Sequence, residues 1–163
     1  MADQIPTGTA PAPEQNAQEL VLQNIYVKDA SFEAPAGPNI QATEWNPQFN
    51  LNMNTTASTM AETVHEVVLT ITLEAKVADK VAYLVEVKQG GLFLIRGYTE
   101  DDTRRVVGAF CPGVLFPYAR QAVSDLILRG GFPPFLLPPV NFDALFQQSL
   151  DQSTAQQANA PIN

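Results

Sequence analysis

Apolar residues alternate with polar ones through the first part of the chain and recur at helical spacing in the last third, which predicts strands followed by helices. Phe49, Leu51 and Met53 against Asn50, Asn52 and Asn54 give the clearest period of two, and Leu20 to Lys28 reads as another strand with one dry face. The stretch 64–77 sets Val67, Leu69, Ile71, Leu73, Ala75 and Val77 against Glu66, Thr70, Thr72, Glu74 and Lys76, and its β-branched residues favour a long strand. A turn at Asp79 and Lys80 then leads into Val81, Tyr83, Val85 and Val87, so a hairpin follows. Gly90 and Gly91 are expected to bend or bulge that strand before Leu92 to Ile95. Four strands with no helix between them predict a mostly antiparallel sheet. The Pro-, Gly- and Ala-rich loop Ala30 to Asn46, with Phe32 and Trp45, is too long for a hairpin turn.

Leu115, Phe116, Ala119, Ala122, Val123, Leu126 and Ile127 lie on an amphipathic helix, with Pro117 tolerable only near its first turn. It is expected to end at Arg129, with Gly130 as the left-handed cap. A shorter helix is expected from Phe142 to Leu150, capped by Asn141, with Asp143 favouring the N-terminal dipole and Phe142, Leu145 and Phe146 on one face. The fold class is therefore α+β: a four-stranded antiparallel sheet with a long and a short C-terminal helix. Between the helices, Gly131 to Val140 is apolar, yet its four prolines bar it from a helix or a central strand. Residues 1–18 and 151–163 are polar, with Ala, Pro, Thr and Gln at one end and Gln, Ala and Ser at the other. Both read as flexible tails around one domain, 19–150.

Charge narrows the function. Nine Lys and Arg against 17 Asp and Glu give a formal charge of −8, which repels nucleic-acid backbones and anionic lipid and favours basic partners. No apolar run is long enough for a spanning helix, and Met1 to Gln18 lack a basic start and an apolar signal core, so cytoplasmic residence is expected with no direct membrane insertion. Cys111 is the only cysteine and His65 the only histidine, which removes an intrachain disulfide, the common catalytic triads and soft-metal sites. His65 and Glu66, adjacent in a strand, face opposite ways and make poor partners. Cys111, before Pro112 among apolar residues, reads as a buried, inert thiol. Neither Gly90-Gly91 nor Gly130-Gly131 has the spacing or lysine of a phosphate loop. The expectation is a protein that is not an enzyme and holds no cofactor or metal.

Three stretches converge on one family: Ile-Tyr-Val-Lys-Asp-Ala-Ser-Phe-Glu-Ala-Pro (Ile25 to Pro35), Tyr-Leu-Val-Glu-Val-Lys-Gln-Gly-Gly (Tyr83 to Gly91), and the C-terminal half. The last contains Cys-Pro-Gly-Val-Leu-Phe-Pro-Tyr-Ala-Arg (Cys111 to Arg120) and Pro-Val-Asn-Phe-Asp-Ala-Leu-Phe (Pro139 to Phe146). The chain resembles the SecB family of protein-export chaperones, in order across most of residues 22–147. The resemblance implies helices against one side of the sheet and a homotetramer built as a dimer of dimers. It implies an ATP-independent holdase that binds unfolded precursor proteins in the cytosol and delivers them to the SecA translocation ATPase.

For clients, the resemblance implies grooves bordered by the crossover loop and the helix-connecting segment, with Trp45, Phe132, Phe135, Leu136, Phe142 and Phe146 as candidates. Aromatic and leucine side chains offer apolar contact without demanding one client shape, and open strand edges add backbone hydrogen bonds. The plainer reading is that these residues pack the core or subunit interfaces. For SecA, the matching positions are Asp29, Glu33, Leu84 and Glu86, with Lys88 on the same strand face as Leu84 and Glu86 weakening the patch slightly. Two rival readings stand beside this one. A carrier of a small apolar ligand predicts a sealed pocket in a monomer or dimer, and a hydrolase using His65 lacks a nucleophile motif before a helix.

Overall fold

The computed structural model describes residues 17–37, 40 and 44–158. Four strands, β1 (Glu19–Glu33), β2 (Gln48–Ala61), β3 (Val64–Val77) and β4 (Lys80–Arg96), form one antiparallel sheet in the order β1-β4-β3-β2. β1 and β2 are therefore the two edges, and the chain between them must cross the sheet's full width. The buried face is the one that alternation selects: Val67, Leu69, Ile71, Leu73 and Ala75 of β3 and Tyr83, Val85, Val87 and Phe93 of β4 are almost wholly buried. Each such Val, Leu, Ile or Phe side chain contributes about 1.5–3 kcal/mol by leaving water.

A single helical rod covers that face. It begins as α1 (Glu100–Arg105), widens into a π-helical turn over Val106–Phe110 and continues as α2 (Cys111–Arg129), which packs across β4 and β3. Thr99 caps its start by accepting a hydrogen bond from the Asp102 amide, and three acids occupy the first turn. The rod thus begins well before Leu115 and contains both Pro112 and Pro117. A proline ring collides with the carbonyl four residues back. For Pro112 that carbonyl belongs to Gly108, inside the widened π turn, where the Cys111 amide reaches back five residues to Val106. α2 buries Leu115, Phe116, Ala119, Val123 and Ile127.

Several local expectations are corrected. Gly130 is right-handed, at φ −70°, and Gly131, at φ +79°, is the left-handed residue. The Phe132 amide donates to the Ile127 carbonyl and the Gly131 amide to the Leu128 carbonyl, so the helix ends at Arg129 as expected, but in a Schellman cap whose left-handed residue is one glycine later. The β3–β4 turn is Ala78-Asp79, both at positive φ, and Lys80 already pairs with Val77. Gly90 and Gly91 do not bulge β4. The irregularities of the β1–β4 pairing lie opposite, in β1, between Leu22 and Asn24 and between Val27 and Asp29, and β4's own extra residue, Ala82, falls between Val81 and Tyr83 near the turn. The glycines answer to crowding instead: a Cβ on Gly90 would stand 2.7 Å from the Tyr26 ring, and one on Gly91 2.8 Å from Leu115.

β1 runs to Glu33, so Phe32 sits in a strand and not in the crossover loop. Val21, Leu22 and Val27 are exposed, and β1 does not bury one whole face. After the proline-rich segment, α3 (Phe142–Ala158) starts where expected, with the Asn141 side chain accepting from the Ala144 amide at 3.0 Å, and passes Leu150. Of the expected tails, 1–16 and 159–163 lie outside the described residues, while 151–158 continue α3. Among the described residues no helix is long and apolar enough to cross a membrane.

Candidate functional site

Two surfaces take shape from this packing. The first lies where the helix-connecting segment returns over the sheet. The Schellman cap aims Phe132 back onto β4, where its ring meets Tyr83 edge-on at 4.9 Å, Trp45 at 5.7 Å and Phe32 at 6.1 Å. Phe32 stacks in turn on Tyr83 at 5.8 Å. Farther along, the Phe135 ring lies 4.2 Å from Phe49 of edge strand β2, and the Ser124 hydroxyl donates to the Phe135 carbonyl at 3.0 Å, tying the segment to α2. Leu136 is 67% exposed. The prolines bar this segment from a helix, and it turns Phe132 and Leu137 into the core while Leu136 between Phe135 and Leu137 stays open.

Phe142 and Phe146 stand apart from that cluster. Phe142 is buried and meets Phe116 edge-on at 5.6 Å. Phe146 lies over Gly108, where a Cβ would come within 2.5 Å of its ring, so the glycine of the π turn makes room for α3. Arg105 and Asp143 pair at 3.0 Å across the same junction. Between α3 and β2 runs a groove of about 420 Å³, lined by Met53, Val107, Phe142, Leu145 and Phe146 among others. The six expected aromatic and leucine positions thus fall into two groups at opposite ends of the helix-connecting segment. Phe132 and Phe142 are core residues, Trp45, Phe135 and Phe146 are half-buried, and Leu136 is open. Phe32, Tyr83, Phe49 and the Val107-Gly108 turn also belong to these surfaces. The alternation of β4 could have placed Tyr83 on the dry face, but nothing in the sequence marks a π turn.

The second surface is the sheet face turned away from the helices. Glu33 pairs with Leu84, Ser31 with Glu86 and Asp29 with Lys88, which puts all four expected acidic-patch residues on one face of the β1–β4 pair. Leu84 is half-buried, and Asp29 and Glu33 are exposed. Lys88 Nζ lies 3.3 Å from Glu86 and 3.4 Å from Asp29, and these hydrogen bonds, Glu86 first, raise the lysine above its ordinary pKa. Thr72 donates to Glu86 at 3.0 Å. Beside this patch, Glu66 accepts from the Tyr26 hydroxyl and pairs with Lys28 at 2.8 Å. The lysine bond and then the tyrosine bond hold its carboxyl below the usual range. Gln89, buried, donates to the Tyr26 carbonyl at 2.7 Å next to the second β1 irregularity.

Cys111 is fully buried, and burial pushes its thiol up to about 12, the opposite of an activated nucleophile. Among the described residues no group of three or more His, Cys, Asp or Glu is placed to hold a metal.

The family model described as preprotein translocase subunit SecB matches residues 13–153. The chain belongs to the SecB family. Among curated relatives, the protein-export protein SecB of Nitrosococcus oceani is 51% identical over 142 residues, covering 85% of this chain and 87% of that one. The protein of the same description from Pseudomonas syringae is 47% identical over 152 residues, 93% of each chain. The SecB-like chaperone of Mycobacterium tuberculosis, solved in complex with an antitoxin peptide, shares the fold at a TM-score of 0.63 with 16% identity, over 74% of this chain and 90% of that one. SecB proteins are protein-export chaperones and not an enzyme family, which places this chain among chaperones.

Proposed function

We propose that this SecB-family chain acts in the cytosol as an ATP-independent holdase, without catalysis, keeping unfolded precursors fit for translocation and passing them to the SecA ATPase. The observation that carries the reading is the aromatic floor formed by Trp45, Phe132, Phe32 and Tyr83, continued by Phe49 and Phe135 toward the open Leu136. Such a floor gives an extended chain apolar contact at several successive side chains, and its rings tolerate many client sequences. Phe142 and Phe146 with the groove along α3 are a second contact region. Tyr83, Phe132 and Phe142, being buried, shape these surfaces from beneath and do not themselves touch clients, which leaves contact to the half-buried Phe32, Trp45 and Phe135 and the exposed Phe49 and Leu136. Asp29, Glu33, Leu84 and Glu86 form the SecA-docking patch, where carboxylates attract a basic element and the leucine adds apolar area. The working assembly is a homotetramer, a dimer of dimers.

The test is dilution of a chemically unfolded precursor from denaturant, followed by light scattering, with the native particle sized in parallel. Suppression of aggregation by a four-chain particle without nucleotide is the expected result, weakened by Leu136→Asp. No suppression, together with a monomer or dimer that retains a small apolar ligand, would favour the carrier.

A further inference from the structure

Lys88 is out of place on a surface built to attract a basic partner. Its ammonium lies between the carboxylates of Asp29 and Glu86, at 3.4 and 3.3 Å, while among the described residues Glu33 forms no ion pair. The position is imposed by register: Lys88 faces Asp29 directly across the β1–β4 pair and follows Glu86 by two residues on the same face, so it reaches both acids without leaving the sheet. We propose that Lys88 sets the strength of partner docking, by occupying two of the patch's three carboxylates so that an incoming Lys or Arg must take them from it. This rests on the reading of this face as the SecA-docking patch.

The chemistry is one of exchange. A basic group arriving at Asp29 or Glu86 gains an ion pair only as Lys88 gives one up, so the net gain is smaller than at a carboxylate with no partner. Glu33, on the Leu84 side, offers a carboxylate without that competition. Docking should therefore lean on Glu33 and Leu84 more than on Asp29, and removing the Lys88 charge should shift weight onto Asp29 and Glu86.

The experiment is calorimetric titration of purified SecA into the intact protein at low ionic strength, with melting curves recorded for every variant. Lys88→Gln is expected to tighten binding by about two- to fivefold, the range for exposed charge pairs. Lys88→Arg, which keeps the charge, should stay within about twofold of the native protein. The gain should shrink as salt shortens the Debye length toward about 3 Å at 1 M. In an Asp29→Asn, Glu86→Gln background the Lys88→Gln gain should fall below about twofold, because the lysine then has nothing to hold.

Weaker binding on Glu33→Gln and Glu86→Gln, with no gain from Lys88→Gln, would overturn the role of Lys88 and leave the docking patch standing. An equal gain in the Asn/Gln background would reduce Lys88 to a simple repulsive charge and overturn the exchange. If neither Glu33→Gln nor Glu86→Gln alters binding, the docking face itself is misassigned, and the role of Lys88 falls with it.

Discussion

Backbone strain at the β3–β4 turn is concentrated in Ala78, at φ 48°, followed by Asp79 at φ 62°. Two positive angles in succession are those of a type I′ turn, which matches the strand twist, but an L side chain there costs roughly 1–2 kcal/mol, and aspartate tolerates it better than alanine. Glycine relieves that cost while gaining freedom in the unfolded chain, so Ala78→Gly should raise stability by up to about 1 kcal/mol. The reading is a higher urea midpoint with an unchanged slope at fixed protein concentration; a lower midpoint would mean that the turn is not strained. A second cost sits at Tyr83, whose buried hydroxyl has no hydrogen-bond partner among the described residues. Burial pushes this phenol up to about 12, as it does the Cys111 thiol, and the Tyr26 phenol rises to about 12 chiefly through its bond to Glu66. Unfolded, the thiol ionises near 9.0 and the phenols near 10.0, so above those values the unfolded chain releases protons that the folded one keeps. Their contribution is whole below about pH 9 and is lost as pH rises toward 12. Melting temperature should therefore fall between pH 9 and 11, and Tyr83→Phe should soften that fall while leaving neutral-pH stability equal or higher. A Tyr83→Phe protein less stable at pH 7 would indicate that the hydroxyl has a partner.

At the scale of elements, the adjoining glycines at the end of α2 divide two tasks. Gly131 supplies the positive φ of the Schellman cap, whereas Gly130 is right-handed and is small because a Cβ would come within 2.2 Å of the Phe32 ring. Gly131→Ala should cost about 1 kcal/mol through its backbone whatever its neighbours. Gly130→Ala should cost about 1–3 kcal/mol by overpacking, and much of that should vanish beside Phe32→Leu. Urea midpoints of the two double variants check this: rescue of both glycine changes, or of neither, would contradict the division. These residues also mark where sequence reading stops. Period-two alternation is local, so β2, β3 and β4 are legible from the runs around Phe49, Leu69 and Val85, and the Asn141 cap from its own position, whereas β1 is legible only as far as Lys28 because its exposed continuation to Glu33 carries no dry face. Choosing between Gly130 and Gly131, or seeing that Gly90 yields to Tyr26, requires knowing what lies across the packing. The rod's early start was hidden because Glu100 to Arg105 bury nothing, so no apolar stripe announces them. The acidic face was half legible: Leu84, Glu86 and Lys88 share a strand, but the place of Asp29 depends on the β1 irregularity between Val27 and Asp29.

For the whole molecule, the absence of any phosphate-loop motif in the sequence limits what the proposed holdase can do. A binder that takes only unfolded clients, present at 100 times its dissociation constant, shifts their folding balance by about 2.7 kcal/mol. A typical folded domain is stable by about 5–15 kcal/mol. Capture must therefore precede folding, and selectivity among precursors becomes a matter of rate: a client that folds before it meets the floor is lost to it. The net charge of −8 adds to this by speeding encounter with basic unfolded segments, an advantage that fades with salt. Two variants of one client with the same stability but folding rates tenfold apart should then differ in the fraction captured on dilution from denaturant, the slower being held more. Once folded, neither should be released into the unfolded state by adding the protein. Intrinsic fluorescence of the client distinguishes the outcomes. Equal capture of the two, or unfolding of a native client of 5 kcal/mol or more without nucleotide, would mean that the surface binds something other than the unfolded chain alone.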